Sequence, residues 1–268
     1  MFRISPVYDR LLRGSSDMPV GLYRLHIATA DQLCRLHYSP KSIKWVKAKL
    51  KTLVDNGYVQ ADCIPTKFFK SPYYYALTSK GMSYLAAQGL DIPESYRGSR
   101  ETDKHYLFVN HTLELNDLII SAAMLHRLSD VRLDSFLHER SLRSRSYKTR
   151  TFTIIPDGFL RFTQGDKPIR FLVEHDRGTE EQQHFRRRIS AYRDYLSVEP
   201  ITVLFSTLQG AKRLEQMREW TRKELAGSQV TAYFRFASFH PPLDPDTIWL
   251  RPNWYTTLHD EPIALLKG

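Results

Sequence analysis

Two short apolar segments with acidic residues near their ends constrain the fold of this 268-residue chain most strongly. Residues 156–162 have Asp157 as their second member, and residues 169–176 have Glu174 close to their end. Polar residues 164–167 separate the two segments, and this pattern is typical of two strands joined by a turn. We therefore expect a sheet in which each of these strands holds a carboxylate near an end or a bend.

The charge balance of the chain favours a polyanionic partner. Lys and Arg total 39 and Asp and Glu total 29, so the net charge is +10 and the pI is about 9.5. A basic surface attracts nucleic acid, and an acidic membrane surface would attract it as well. The chain has no run of 18 or more apolar residues, so no helix that spans a membrane is expected. We predict that the protein binds double-stranded DNA and does not enter a membrane.

The cysteines and the first residues of the chain indicate a cytoplasmic protein. Cys34 and Cys63 are far apart in the sequence and each stands alone, which suits a reducing compartment and excludes a cysteine-rich zinc site. The first 17 residues lack the apolar core of a signal peptide. We therefore predict a cytoplasmic location.

A change in composition near residue 90 divides the chain. Residues 91–104 are polar, contain Pro93 and Gly98, and show no clear periodicity, so we predict a linker there. Residues 1–98 carry 14 Lys or Arg and 7 Asp or Glu, an excess of 14 − 7 = +7. Most of the positive charge thus belongs to the smaller N-terminal part. We predict one domain over residues 1–90 and a second over residues 105–268.

The N-terminal part has the pattern of a winged helix-turn-helix domain. Thr29 is a candidate N-cap for a short helix, and a turn at Ser39 and Pro40 precedes a longer helix over residues 41–56. Gly57 ends this helix. The pattern then predicts strands at 58–60 and 71–77 and a helix at 82–88. Helix, turn, helix, two-stranded wing and helix is the order of a winged helix-turn-helix.

The predicted helix 41–56 has two different faces. Ile43, Val46 and Leu50 recur at helical spacing and predict a buried stripe. The opposite face carries central side chains that suit base edges or thymine methyl groups, flanked by lysines that suit phosphates. The predicted DNA-binding residues of this face are Lys41, Lys44, Trp45, Lys47, Ala48, Lys51 and Thr52, with Lys67 and Lys70 added from the wing. The alternative is a solvated basic face with a partly covered tryptophan.

The C-terminal part alternates between helical and strand patterns and predicts an α/β domain with a mixed central sheet. The whole chain is therefore predicted to be α+β. Its predicted helices span 105–128, 179–196 and 210–225, and its predicted strands span 131–138, 156–162, 169–176, 201–206 and 230–236.

Three acidic residues are the candidates for catalytic chemistry. If strands 156–162 and 169–176 pair, Asp157 and Glu174 lie close enough to share one divalent cation, and their hard oxygen ligands suit Mg²⁺ or Mn²⁺. Asp176 is two residues beyond Glu174 and faces the same side of the strand. Such a metal activates water and stabilises charge on a phosphate. In the alternative, Asp157 caps a turn and Glu174 pairs with an arginine.

A basic stretch lies just before Asp157 in the sequence. Residues 140–150 contain five basic residues and no acidic one, and we expect a flexible loop there. Its predicted contacts to the DNA backbone are Arg143, Arg145, Lys148 and Arg150. Arg177 is a further candidate, since it and Thr179 can hold a phosphate where a strand passes into a helix. The alternatives are an exposed polar loop for residues 140–150 and a strand-to-helix cap for Arg177.

The acidic strands also resemble a known family. Pro156-Asp157-Gly158, the run FLVEHDRGTE over residues 171–180, and the tyrosines Tyr192 and Tyr195 resemble the replication-relaxation family. These are proteins of plasmids and mobile elements, with an N-terminal winged helix and a C-terminal part similar to the PD-(D/E)XK nuclease fold. The family includes relaxase-like proteins of plasmid mobilisation. The resemblance covers nearly the whole chain, and the E-x-D-R-G-T string is its most specific piece.

The resemblance implies a role for each acidic residue. Asp157 matches the first acid of the nuclease pattern and Glu174 the second, while Asp176 stands where a lysine normally helps to position or activate the attacking water. Two functions remain open. One is a Mg²⁺- or Mn²⁺-dependent endonuclease or relaxase that nicks DNA at an origin. The other is a non-catalytic transcription or replication regulator whose C-terminal domain mediates dimerisation or binds other replication or mobilisation proteins.

Overall fold

The computed structural model describes residues 18–63, 72–92, 106–146 and 154–267. Helices and strands both contribute, so the α+β class is confirmed. The chain divides into two compact units, one ending at Ile120 and the other beginning at Ser121, and each contains its own sheet. No helix of the described residues is long and apolar enough to cross a membrane.

The first unit contains helices around a small antiparallel sheet with the strand order β1-β3-β2. A short 3-10 turn over Pro40–Ser42 comes immediately before α3. In chain order the elements are α1 (Met18–Leu25), β1 (Ile27–Thr29), α2 (Ala30–His37), α3 (Ile43–Asp55), β2 (Val59–Cys63), β3 (Tyr73–Leu77), α4 (Ser79–Ala87) and the beginning of α5 (Tyr106–Met124).

The predicted N-cap at Thr29 is confirmed, and it is part of a full capping box. The Thr29 hydroxyl accepts from the backbone N–H of Gln32 at 3.1 Å, and the Gln32 side chain accepts from the Thr29 N–H at 3.0 Å.

Elements α1 and β1 were not predicted. Almost every residue of α1 is buried, so it has no polar face to produce a period, and β1 has only three residues.

Helix α4 begins at Ser79, three residues before its predicted start at residue 82. The reason is a side-chain cap, because the Thr78 hydroxyl oxygen accepts from the N–H of Gly81 at 3.1 Å. Gly81 itself lies against the preceding turn. A Cβ at this position would lie 2.2 Å from the carbonyl oxygen of Tyr58, so only glycine fits.

The beginning of α5 belongs to the first unit. The amide of Asn116 donates to the carbonyls of Leu25 at 3.1 Å and Ile27 at 2.7 Å. The amide of Gln32 donates to the Leu113 carbonyl at 2.7 Å. Because these polar contacts join α5 to α1, β1 and α2, the division between the units lies further along the chain than the predicted linker at 91–104. Residues 93–105 lie outside the described residues, and the linker stays a prediction.

The second unit is built on a six-stranded sheet with the order β4-β5-β6-β7-β8-β9. Strands β4, β5 and β6 pair antiparallel, β6, β7 and β8 pair parallel, and β9 returns antiparallel, so the predicted mixed sheet is confirmed. After the end of α5 the elements are β4 (Arg132–His138), α6 (Glu139–Ser146), β5 (Gly158–Gln164), β6 (Lys167–Asp176), α7 (Gln182–Leu196), β7 (Thr202–Thr207), α8 (Gly210–Glu224), β8 (Phe234–Ser238) and β9 (Tyr255–Thr256).

Helix α7 packs its predicted apolar stripe into the core of this unit. Phe185, Ile189 and Tyr192 are fully buried, as is nearly all of Leu196. The Phe185 and Phe205 rings lie 5.3 Å apart between their centroids, which joins α7 to β7. Strand β8 begins four residues later than predicted, because Gln229–Tyr233 form a 3-10 turn instead of extending the strand.

The predicted loop over residues 140–150 was wrong for its first part. Glu139–Ser146 form helix α6 directly after β4. Leu142 is buried, and Arg143 donates from Nε to Oε1 of Glu139 at 2.9 Å, a pair four residues apart that supports a helix. Residues 147–153 lie outside the described residues.

Candidate functional site

The basic face predicted for helix α3 is exposed. Val46 and Leu50 are fully buried and anchor the opposite side of the helix, whereas Ile43 of the predicted stripe is half-buried. The predicted division of this segment into a buried and an exposed face is therefore confirmed, while DNA contact by the exposed face stays a prediction. The exposed residues are Lys41, Lys44, Trp45, Lys47, Ala48, Lys51 and Thr52.

The charge on α3 is almost entirely positive. Four lysines lie on the helix, and its one acidic residue is Asp55 at the last position. Lys51 donates to Asp55 at 2.6 Å, so part of its charge is offset within the helix. Lys44 and Lys47, in the first turns, have no acidic residue on the helix beside them.

The other predicted DNA-binding residues differ in their exposure and in their contacts. Arg143 is exposed and forms an ion pair with Glu139 on α6. Arg177 is half-buried at the point where β6 ends. Lys67, Lys70, Lys148 and Arg150, and the side chain of Arg145, lie outside the described part of the chain.

Asp157 lies immediately before β5 and opposite Glu174. Gly158 pairs with Val173 in the antiparallel ladder, which places the two acids at neighbouring positions of adjacent strands. The Asp157 carboxylate accepts from the backbone N–H of His175 at 2.8 Å. The backbone carbonyl of Asp157 accepts from the N–H of Glu139 at 2.9 Å, which fixes the start of α6 beside it. Asp157 thus holds three chain segments together.

Glu174 is buried, with 2% of its surface exposed, and both of its carboxylate oxygens have donors from α7. The Tyr192 hydroxyl donates to Oε1 at 2.5 Å, and Nη1 of Arg188 donates to Oε2 at 2.6 Å. Arg188 also forms an ion pair with Glu180. The half-buried arginine thus bridges two carboxylates and lies against the rings of Phe185 and Phe205.

The ionisation of this cluster reflects its burial. Burial raises the pKa of Glu174 to about 7, the Arg188 charge opposes the rise, and the Asp157 charge adds to it. Burial and the Glu174 carboxylate together raise the pKa of Tyr192 well above its ordinary value, so the phenol stays protonated and acts as a donor.

Asp176 is held by a second arginine. Nε and Nη2 of Arg213, on α8, each donate to one of its carboxylate oxygens at 2.8 Å. The backbone N–H of Gly178 donates to the same carboxylate at 2.9 Å. Gly178 has φ +73°, a left-handed conformation that turns the chain away from β6. Asp176 therefore has the contacts of a structural residue at a strand-to-helix turn.

These contacts do not fit a divalent cation between the acids. A cation beside Glu174 would meet the charge of Arg188, and Asp176 offers its oxygens to Arg213. Within the described ranges, no group of three or more His, Cys, Asp or Glu side chains is arranged to hold a metal ion. The Glu174 contacts match the alternative in which Glu174 pairs with an arginine, whereas the Asp157 carboxylate accepts from His175 on the neighbouring strand instead of capping a turn. Binding of Mg²⁺ or Mn²⁺ stays a prediction from the sequence pattern and the resemblance.

An arginine partner for Glu174 was one of the alternatives from the sequence, but neither Arg188 nor Arg213 was identified as a partner of the acids. Arg188 belongs to the run Arg186-Arg187-Arg188, which suggests a solvated face. Its spacing carried a usable signal, because Arg188 follows Phe185 by three residues and precedes Tyr192 by four, within the buried stripe of α7. Arg213 lies 37 residues after Asp176, and no local pattern connects the two.

Comparison with known families agrees with the resemblance. The chain belongs to the replication-relaxation family, whose model matches residues 21–203, more than half of the 268 residues. A comparison with curated proteins gives no match. The matched range contains α3 and all three predicted acids, whereas Arg213 lies beyond it.

Proposed function

We propose that this protein binds double-stranded DNA at an origin of a plasmid or mobile element and acts there in replication or mobilisation. Family membership supports the role in replication. The exposed lysine-rich face of α3 is the observation that supports DNA binding. The buried stripe holds the helix in the fold, so the basic face can contact phosphates without any change in structure.

The first unit supports a winged-helix mode of binding. Its order of helix, strand, helix, helix, strand, strand and helix supports the assignment of α3 as the recognition helix. A helix with side chains is about 10–12 Å wide and the major groove is about 12 Å wide. In this proposal α3 lies in the groove, with Lys44 and Lys47 at the phosphates. Lys67 and Lys70, which lie outside the described residues, are proposed as further phosphate contacts.

For the second unit we propose a PD-(D/E)XK-like platform that does not cleave DNA. The arginine partners of Glu174 and Asp176 support this assignment, since buried carboxylates that are each paired with an arginine are not available for metal-assisted chemistry. Asp176 at the position of the family's lysine supports it as well. Such a platform would bind DNA, a second copy of the chain, or other replication or mobilisation proteins.

A salt titration of DNA binding tests the first part. The full chain is titrated with duplex DNA taken from the neighbourhood of its own coding sequence and with unrelated duplex, at several salt concentrations. Lys47→Ala should weaken binding and reduce the slope of log K against log salt by about 0.9, the value for one phosphate contact. Lys47→Arg keeps the charge and is the matched control. A binding affinity that depends neither on the salt concentration nor on the Lys47→Ala substitution would contradict the proposal.

A nicking assay tests the second part. Supercoiled plasmid carrying the same DNA is incubated with the protein and Mg²⁺ or Mn²⁺, and wild type is compared with Glu174→Gln, which keeps the side-chain shape. We expect tight binding without nicking for both proteins. Metal-dependent relaxation that is lost in Glu174→Gln would replace the platform with an endonuclease or relaxase.

A further inference from the structure

Trp45 is a large apolar side chain that the fold leaves in solvent. It is 51% exposed and lies in the first turn of α3, three residues into the helix. In helix-turn-helix proteins, residues at the N-terminal end of the recognition helix contact base edges. Its position in the helix therefore matches the part that enters the groove most deeply.

The exposed indole is held in place by two neighbours. The Tyr38 ring meets it edge-on, with centroids 5.1 Å apart and an angle of 68° between the planes. The ammonium of Lys49 lies 5.2 Å from the indole centroid. Tyr38 is the C-cap residue of α2, so the turn between α2 and α3 supports the tryptophan from outside its own helix. A side chain ordered before binding loses less entropy when it meets a ligand.

The centre of the exposed face is poor in hydrogen-bonding groups. Ala48 and Thr52 follow Trp45 by three and seven residues and lie on the same side of the helix. The Thr52 hydroxyl donates to the Ala48 carbonyl at 3.2 Å, so its proton is used within the helix. Helix α3 contains no Arg, Asn or Gln, of which Arg most often reads guanine and Asn and Gln read adenine.

An apolar stripe flanked by lysines is complementary to one base in particular. Thymine is the only base with a methyl group in the major groove, at C5. We infer that Trp45 is a specificity-determining residue that contacts the C5 methyl of thymine in the major groove, with Ala48 extending the same apolar surface. The inference rests on the proposed function, since it requires α3 to bind duplex DNA.

Replacing thymine by uracil removes only this methyl group and tests the inference. The full-length wild type first selects its preferred duplexes from a random-sequence library. The selected population is then prepared once with thymine and once with uracil, and the dissociation constant is measured for each. Wild type should bind the uracil form at least about fourfold more weakly, the equivalent of ~0.8 kcal/mol for one buried methyl. Trp45→Ala should bind both forms equally.

Two further variants control for folding and for general aromatic effects. Trp45→Phe keeps an apolar ring and should retain part of the thymine preference. Tyr84→Ala removes another exposed aromatic of the first unit, on α4, and should keep the full wild-type ratio. Only variants whose melting temperature and circular dichroism spectrum match those of the wild type are compared.

The outcomes separate this inference from the proposed function. Equal binding of wild type to both forms, or a ratio unchanged in Trp45→Ala, would overturn the methyl contact while salt-dependent binding through Lys47 leaves the proposed function intact. If Trp45→Ala weakened the binding of the thymine and uracil forms by the same factor, or weakened only the binding of single-stranded DNA, the tryptophan would pack or stack instead of contacting a methyl group. Absence of any salt-dependent duplex binding would overturn the proposed function itself.

Discussion

Arg213 binds Asp176 through two parallel hydrogen bonds, from Nε to Oδ2 and from Nη2 to Oδ1, each 2.8 Å long. Both side chains are buried, and the guanidinium lies 4.9 Å from the Trp220 ring centroid. Its Nη2 also donates to the backbone carbonyl of Glu180 at 3.0 Å. One side chain of α8 thus fixes both ends of the turn that leads from β6 towards α7.

Removing Arg213 should destabilise the second unit strongly. Arg213→Ala leaves the Asp176 carboxylate buried without a counter-charge, and such a change costs about 3–5 kcal/mol. The measurement is urea unfolding followed by tryptophan fluorescence, since Trp220, Trp249 and Trp254 are three of the four tryptophans and all lie in this unit. The control is Arg170→Ala, which breaks a more exposed ion pair with Glu199 and should cost far less. Similar losses for the two variants would contradict the structural role of Asp176.

The raised pKa of Glu174 makes stability depend on pH in a defined direction. Burial raises this pKa from its ordinary value of 4.5 to about 7, so between these values the folded chain holds a proton that the unfolded chain has lost. Stability rises with pH only where the unfolded state binds more protons, so the Glu174 contribution decreases from about pH 4.5 to pH 7 and is constant above. The total loss is on the order of 3 kcal/mol.

Glu174→Gln should remove this dependence because glutamine does not titrate. The free energy of unfolding is measured for wild type and variant at pH values below, within and above the window. The variant should gain stability relative to wild type as the pH rises through the window. A difference between the two proteins that does not change with pH would show that Glu174 ionises normally.

The sequence carried the repeating features of the fold, and side-chain partners were harder to infer. The stripe Phe185, Ile189 and Tyr192 is a local pattern, and so is the placement of Glu174 and Asp176 on one strand face. The partners of these acids depend on how α7 and α8 pack on the sheet. Arg188 follows Glu174 by 14 residues, and Arg213 follows Asp176 by 37. Helix α1 was not predicted because nearly all of its residues are buried, so its sequence has no alternation of apolar and polar residues at helical spacing.

Asn116 should be essential to the first unit. Its amide is fully buried and donates to the carbonyls of Leu25 and Ile27, so Asn116→Ala leaves two buried acceptors without this donor. Each such acceptor costs about 1–3 kcal/mol, and we expect a loss of roughly 2–4 kcal/mol in the unfolding free energy. Amide hydrogen exchange in α1 and α2 reports this unit separately. Asn56→Ala, which removes an exposed amide at the end of α3, is the control, and equal protection in both variants would contradict the prediction.

Asp55 should weaken DNA binding in the wild-type protein. It is the one acidic residue of α3 and holds Lys51 at 2.6 Å, so it repels phosphate and offsets a neighbouring positive charge. Asp55→Asn should therefore tighten duplex binding about two- to threefold at low salt, the equivalent of roughly 0.5 kcal/mol for an exposed pair. The gain should fade as salt screens the charges. Asp130→Asn makes the same charge change at an exposed position in the second unit and should have a smaller effect. Unchanged affinity in Asp55→Asn, measured beside this control, would place the DNA away from α3.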